Sequence, residues 1–359
     1  MLEQGKISTN EFQILVITFV IGSAILIGPA PLAEAAKQDA WISAVIVAIC
    51  SLMFVFIFNK LTSVYPTMTF VQLNEKIFGK WIGRITSLLF LAYTLHIASA
   101  QVSEIGEFFS TQILVETPSV MIMILFVFTS LIGVHSGIEV ISRSALIFFP
   151  WIMLLLLILF LFLIPEVKLE NIQPILGGGI KPIMKGVYFH FGLAAELGIL
   201  LMITPYVNNK IAMKKAFYKG ASIGGFIVFL IVLFSVLVLG ANLTANQAYP
   251  SYILGKMISI GNFIERIEVI VAIIWFITLF LKLTICYYGL SIGLAQMMRL
   301  KDYKPLLYPL AILIISFALI MHPDIVDLHQ FLKTTFTPYS STFCILLPLA
   351  LLMVGKIKK

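Results

Sequence analysis

Two ionisable residues stand near the middle of long apolar runs. Glu196 closes Phe191-Gly192-Leu193-Ala194-Ala195-Glu196, and Lys282 interrupts Thr278-Leu279-Phe280-Leu281-Lys282-Leu283-Thr284. A charge among lipid tails is expensive, so each is a functional candidate by default. Glu196 could accept a proton, bind a substrate amine or hold freed backbone amides. Lys282 lies too far from either end of its run to reach an interface, which argues against snorkelling. A Schiff base on a buried lysine is conceivable chemistry, but no motif supports it. A third run carries Tyr93, His96, Ser99 and Gln101, with Tyr93 and His96 near its centre. A lone membrane histidine is more often an interhelical hydrogen-bond donor than a proton relay. His190, just before Gly192, lines the same region or packs beside it, and the spacing of Glu265-Arg266-Ile267-Glu268 suits local ion pairs.

Backbone chemistry is signalled by glycine. One apolar run is interrupted by Ile21-Gly22-Ser23-Ala24 and again by Gly28-Pro29-Ala30-Pro31, and a later run by Phe191-Gly192 through Gly198. Gly22 precedes Pro29 by the interval that separates Gly198 from Pro205. A single glycine in a membrane helix also serves close packing. The first interruption goes beyond that, because its prolines remove amide donors as well. Paired interruptions in corresponding positions of two halves point to a binding site at the bilayer midplane. Amides freed there, with the positive end of a half-helix dipole, suit an anionic group such as a substrate carboxylate.

The elements that must position these residues are membrane helices. The chain is 60% hydrophobic and 11% charged, with a mean hydropathy of +1.05, which excludes a soluble domain. Ten runs are long enough to cross a bilayer: Phe12 to Ala33, Trp41 to Tyr65, Ile82 to Ser103, Ser119 to Val134, Ile141 to Ile164, Met184 to Pro205, Ala216 to Leu243, Ile264 to Met298, Leu306 to Met321 and Pro338 to Val354. The eighth exceeds one span and should tilt or project. With both termini cytoplasmic, sixteen loop lysines and arginines fall inside and six outside, as the positive-inside rule requires. The net charge of +7 therefore reports topology, and no nucleic-acid-binding module accompanies it.

Ten spans divide into five and five, and an odd number per half inverts the second half relative to the first. The expected units are a first repeat over 7–165, a linking loop over 166–182 rich in glycine and proline, and a second repeat over 183–355, all in one membrane domain over 1–359. The loop from Ala241 to Gly261, with an amphipathic stretch from Ser251 to Ile260, should cap a vestibule on the outer side. A cleavable leader is not expected, since the start lacks a clearly basic flank. Cys50, Cys286 and Cys344 all fall within spans, where cysteine behaves as a small apolar residue. No catalytic constellation, cofactor motif or metal cluster is evident.

Several segments together resemble the B-subunit of endospore germinant receptors. They are Ile7-Ser8-Thr9-Asn10-Glu11-Phe12-Gln13, the Gly22 to Pro29 segment, Gly137-Ile138-Glu139-Val140-Ile141-Ser142-Arg143, Pro174-Ile175-Leu176-Gly177-Gly178-Gly179-Ile180-Lys181-Pro182, and Phe263-Ile264-Glu265-Arg266 with Trp275. That family looks like a divergent branch of the amino acid-polyamine-organocation transporters. The resemblance implies an all-α polytopic membrane protein of leucine-transporter type, a 5+5 inverted repeat with helices one and six broken. It implies a spore inner-membrane subunit that binds a small nutrient germinant of amino-acid type and works with an A-subunit and a lipoprotein C-subunit. Carried over by position, the substrate site would comprise Gly22, Ser23, Ala24, Ile25, Tyr93, His96, Phe191, Gly192, Ala195, Glu196, Thr278 and Lys282. Where sodium-coupled relatives of that fold offer hydroxyls to a sodium ion, this chain has Lys282. The expectation is that its ammonium replaces the ion and bonds the carbonyls freed at Gly22 to Ile25. The competing reading is a sodium-independent amino acid permease.

Overall fold

The computed structural model describes residues 3–258, 266–321 and 325–357. The first helix is built from three pieces, α1 (Thr9–Ile21), α2 (Ala24–Ile27) and α3 (Pro29–Ala36). A capping box starts it: the Glu11 amide donates to Ser8 Oγ at 3.2 Å and the Ser8 amide to Glu11 Oε2 at 2.6 Å. The second helix is α4 (Ala40–Val64), and a short amphipathic α5 (Phe70–Phe78) follows. A second capping box, Thr69 with Gln72, sets the start of α5. Thr69 Oγ1 also donates to Gln296 Oε1 at 2.6 Å, tying this helix to the far end of the eighth. The third to fifth helices are α6 (Lys80–Gln112), α7 (Ser119–His135) and α8 (Ile138–Leu163).

The sixth helix is α9 (Ile180–Ala195), which tightens into a 3-10 segment, Glu196–Met202. The seventh is α10 (Lys210–Asn246), which bends at Gly240. There φ is +75°, a left-handed value that glycine adopts without strain. The Leu237 carbonyl just before the bend accepts from the Lys168 amide at 3.1 Å and from Asn171 Nδ2 at 2.8 Å. After α11 (Pro250–Lys256) come the eighth helix α12 (Glu268–Met297), the ninth α13 (Leu307–Met321) and a short α14 (Ile325–Thr334). The tenth combines α15 (Phe336–Ser341), a π-helical segment Thr342–Leu346, and α16 (Leu347–Ile357).

Among the described residues, nine helical segments are long and apolar enough to cross a membrane, and the apolar 17-residue α7 supplies the tenth span. The 30 residues of α12 extend about 45 Å at 1.5 Å per residue, well beyond roughly 30 Å of hydrocarbon. The first helix sits centrally, with α1 against α8, α10 and α12. The sixth lies between α3 and α4 on one side and α15 on the other.

Two boundaries differ from the sequence expectation. The third helix does not end near Ser103 but runs on to Gln112, since its last turns pack inside the protein and need no apolar outer surface. The connection over 322–337 holds α14, too short and too polar to register as a span. Of the loop expected to cap a vestibule, α11 lies among the described residues; 259–265, including Glu265 of the acidic and basic cluster and most of Phe263-Ile264-Glu265-Arg266, lie outside them.

Candidate functional site

The break in the first helix is a backbone event. Gly22 takes φ 6° and ψ −118°, ending α1, while its amide still donates to the Thr18 carbonyl at 2.9 Å. The space a side chain would need is already filled: a Cβ on Gly22 would stand 2.5 Å from Lys282 Cδ and 3.1 Å from the Phe19 carbonyl oxygen. Lys282 thus enters the break from α12 with its stem lying on the glycine. Its Nζ reaches Glu196 Oε2 at 2.6 Å and Ser23 Oγ at 3.5 Å, and stands 5.3 Å from the centre of the Phe19 ring. Lys282, Glu196 and Ser23 are all buried. An ion pair excluded from water is held by both partners at once, because freeing either leaves an uncompensated charge.

Glu196 is delivered by the change in winding of the sixth helix. The α-helix closes with the Glu196 amide on the Gly192 carbonyl, and the chain then tightens. The neighbouring tenth helix is wound the opposite way: its π segment, Thr342–Leu346, packs on the 3-10 turns, with Cys344 against Gly198. Between the third, sixth and tenth helices runs a polar chain. Tyr93 Oη and Ser340 Oγ are 2.8 Å apart, and Ser340 Oγ donates to the Gly192 carbonyl at 2.9 Å.

A third ionisable group completes the cluster. Glu104 of α6 is buried and lines one cavity with Ser23, Gln101, Glu196, Phe331 and Phe336. That cavity offers about 10 Å³, room for at most one water, so the site is closed. On one side stand α14 and α15, with Phe331 4.9 Å and Tyr339 5.4 Å from His96, centre to centre. Lys333 of α14 pairs with Glu34 of α3, fastening this cover to the first helix. Ser251 of α11 donates to the Ile25 carbonyl at 2.5 Å.

Toward the N-terminal face, a cavity of about 660 Å³ opens between Lys6, Gln72, Tyr206, Gln296 and Arg299. Beside it the chain start is tied down, with the Ile7 amide donating to the Tyr206 carbonyl at 3.0 Å and Tyr288 Oη to Glu3 Oε2 at 3.2 Å. Burial, reinforced by the Glu3 carboxylate, pushes the Tyr206 and Tyr303 phenols up, so both remain neutral.

This fold is shared with solved transporters. A nucleobase-cation-symport-1 family transporter, Mhp1, in a closed conformation with bromovinylhydantoin bound, superposes with a TM-score of 0.70 at 12% identity, covering 95% of this chain and 75% of that one. A substrate-bound, outward-open Na⁺-coupled sialic acid symporter gives 0.66 at 10% identity, with 95% and 79% covered. The fold is the leucine-transporter type, a 5+5 inverted repeat. The family model described as "Spore germination protein" matches residues 6–326. The chain belongs to the spore germination protein family. Spore germination protein KB of Bacillus subtilis (strain 168) is 26% identical over all of this chain and 96% of its own length. Spore germination protein A2 of the same strain is 26% identical, covering 99% and 98%. Spore germination protein XB of Bacillus anthracis is 23% identical, covering 98% and 99%.

In this spore germination protein the expected site residues divide into two groups. Gly22, Ser23, Glu196 and Lys282 meet at one point. The others go elsewhere. Phe191 faces the second helix, edge-on to Phe54 at 4.8 Å. Gly192 does not break its helix; a Cβ there would stand 2.8 Å from Phe336, so it is a close-packing glycine against the tenth helix. Ala24 faces a separate small cavity beside His190, whose two ring nitrogens have no hydrogen-bond partner. Ile25 and Ala195 are buried apolar residues. Tyr93 bonds Ser340, and His96 joins the aromatic cover. Thr278 donates to the Ile274 and Trp275 carbonyls of its own helix. Lys282 also departs from expectation in its partners, which are a carboxylate and a hydroxyl rather than the carbonyls of Gly22 to Ile25. The ammonium finds a full counter-charge in Glu196, a stronger partner than a carbonyl.

Glu104 is the residue sequence reasoning passed over. Its helical spacing from Tyr93 through Ile97 and Ala100 would have put it on the same face.

Proposed function

We propose that this protein is the membrane-embedded, germinant-binding subunit of a spore nutrient receptor, and that its ligand is a small nutrient of amino-acid type bound where the first, third, sixth and eighth helices meet. The observation that carries this reading is the Lys282–Glu196 ion pair, which ties the eighth helix to the sixth at a closed, buried point while the Lys282 stem lies in the Gly22 break of the first. A ligand that competes for either partner would bind differently to joined and parted forms, which is what a conformational signal needs. On this reading the chain resides in the spore inner membrane with both termini cytoplasmic, works with an A-subunit and a lipoprotein C-subunit, and catalyses no covalent step. On the same reading the Lys282 ammonium does the work of a coupling cation, so the response is independent of sodium.

The test is a nutrient screen with spores in which this chain belongs to the sole receptor. Wild type should respond to at least one amino acid with or without sodium, and Glu196→Gln and Gly22→Ala should lose that response at equal subunit levels. Full response from Glu196→Gln would refute the site. The likeness to solute carriers supports a second reading, a sodium-independent amino acid permease. Uptake of labelled amino acid into proteoliposomes by the isolated chain distinguishes it from a receptor that binds without transport.

A further inference from the structure

The charges at the site do not balance. Two carboxyl groups, Glu104 and Glu196, face one ammonium, and Lys282 is committed to Glu196 at 2.6 Å. Glu104 is 4% exposed, and its Oε2 has no hydrogen-bond partner. Its neighbour one turn earlier, Gln101, is 1% exposed and spends its Nε2 on Cys286 Sγ at 3.7 Å, leaving Oε1 without a partner. Both residues line the closed cavity. The hydrogen-bonding capacity left open there is thus on the acceptor side, from two residues, and one of them is an acid without a counter-charge of its own. A buried acceptor without a donor is costly, and a buried carboxylate more so.

The rest of the lining suits the same occupant. Phe331 and Phe336 border the cavity, and aromatic faces attract a desolvated cation. We infer that the ligand is held through a protonated amine, seated between the Glu104 carboxylate and the Gln101 amide oxygen under Phe331 and Phe336. Glu104 supplies the counter-charge and Gln101 a second acceptor, beside the Lys282–Glu196 pair. The inference rests on the reading that this site binds a small nutrient, and it names the group by which the nutrient is recognised. Cavity expansion by movement of α14 and α15, which carry the two rings, would admit a molecule larger than water.

The experiment titrates the purified full-length chain in lipid nanodiscs with three matched probe sets, read by calorimetry and thermal unfolding. The first set is the amides of alanine, valine, asparagine and phenylalanine, which carry an amine and no carboxylate. The second is the corresponding deaminated acids, and the third the deaminated amides. At least one amine should bind while its deaminated partners do not. Glu104→Gln should weaken that amine by roughly tenfold or more, Glu104→Asp should retain part of the affinity, and Gln101→Leu should weaken it by a smaller factor. Equal binding of a deaminated acid or amide, or an unchanged amine affinity in Glu104→Gln, would overturn the inference. If that deaminated probe is still lost in Glu196→Gln, the site reading stands and only amine recognition falls. Failure of every probe to bind wild type would overturn both.

Discussion

The two interruptions that meet at Lys282 are made in different ways. In the first helix the backbone leaves the helix at Gly22, and the absent side chain provides the slot in which the Lys282 stem lies. In the sixth nothing leaves the helix. The chain continues from α to 3-10 winding after Ala195, and the over-wound turns fit against an under-wound π segment of the tenth helix. The first break therefore depends on one residue type at one position, whereas the second depends on a neighbour. A residue-specific break accepts a side chain from outside; a winding change delivers one of its own, Glu196.

The largest expected effect comes from parting the two. Lys282→Ala leaves Glu104 and Glu196 facing each other without a cation and should destabilise the protein by about 3–5 kcal/mol, measured by unfolding in mixed detergent and SDS. Adding Glu196→Gln to that variant should restore part of the loss, because one of the two stranded charges goes with it.

Gly22→Ala should cost about 1–3 kcal/mol by overpacking, and most of that cost should vanish in the Lys282→Ala background, since Lys282 Cδ is the nearest obstacle. A double-mutant cycle reads this coupling. Additive effects would mean that the glycine serves the backbone alone. Gly192→Ala should cost a similar amount but show no coupling to Lys282, because its obstacles are Phe336 and Thr337 of the tenth helix.

Next in size is Ser340→Ala, which strands the Tyr93 hydroxyl and one acceptor site of the Gly192 carbonyl and should cost about 1–3 kcal/mol. The smallest effect is expected at the cover. Glu34→Gln removes an ion pair whose side chains are 48% and 31% exposed, and should change stability by less than about 1 kcal/mol. Its consequence should show instead as faster hydrogen exchange in α14.

Much of this is legible in the sequence. Apolar runs mark the spans because backbone groups in lipid must be satisfied within the helix, and Glu196 and Lys282 stand out against them. The Gly22 break was legible too, since glycine and proline act there locally. What hid was set by neighbours. Gly192 looked like a second break, but its glycine answers to Phe336 across a helix interface, and the real change in winding begins at Glu196 in a segment whose sequence reads as ordinary helix. Glu104 was obscured by hydropathy, which closes the third span where polar residues begin. Burial of that stretch inside the bundle, against the first helix and the α14 and α15 cover, keeps the helix going and turns a surface-like glutamate into the third charge of the site.

The meeting of the two interruptions at Lys282, through its pair with Glu196, is best tried in the spore. Germination in response to the identified nutrient should be followed in spores carrying wild type, Lys282→Met, Glu196→Gln or both, at matched receptor levels. The pair predicts that each single substitution abolishes the response or raises the half-saturating nutrient concentration by roughly tenfold or more, as loss of at least 1.4 kcal/mol requires. A wild-type dose response from either single variant would contradict it.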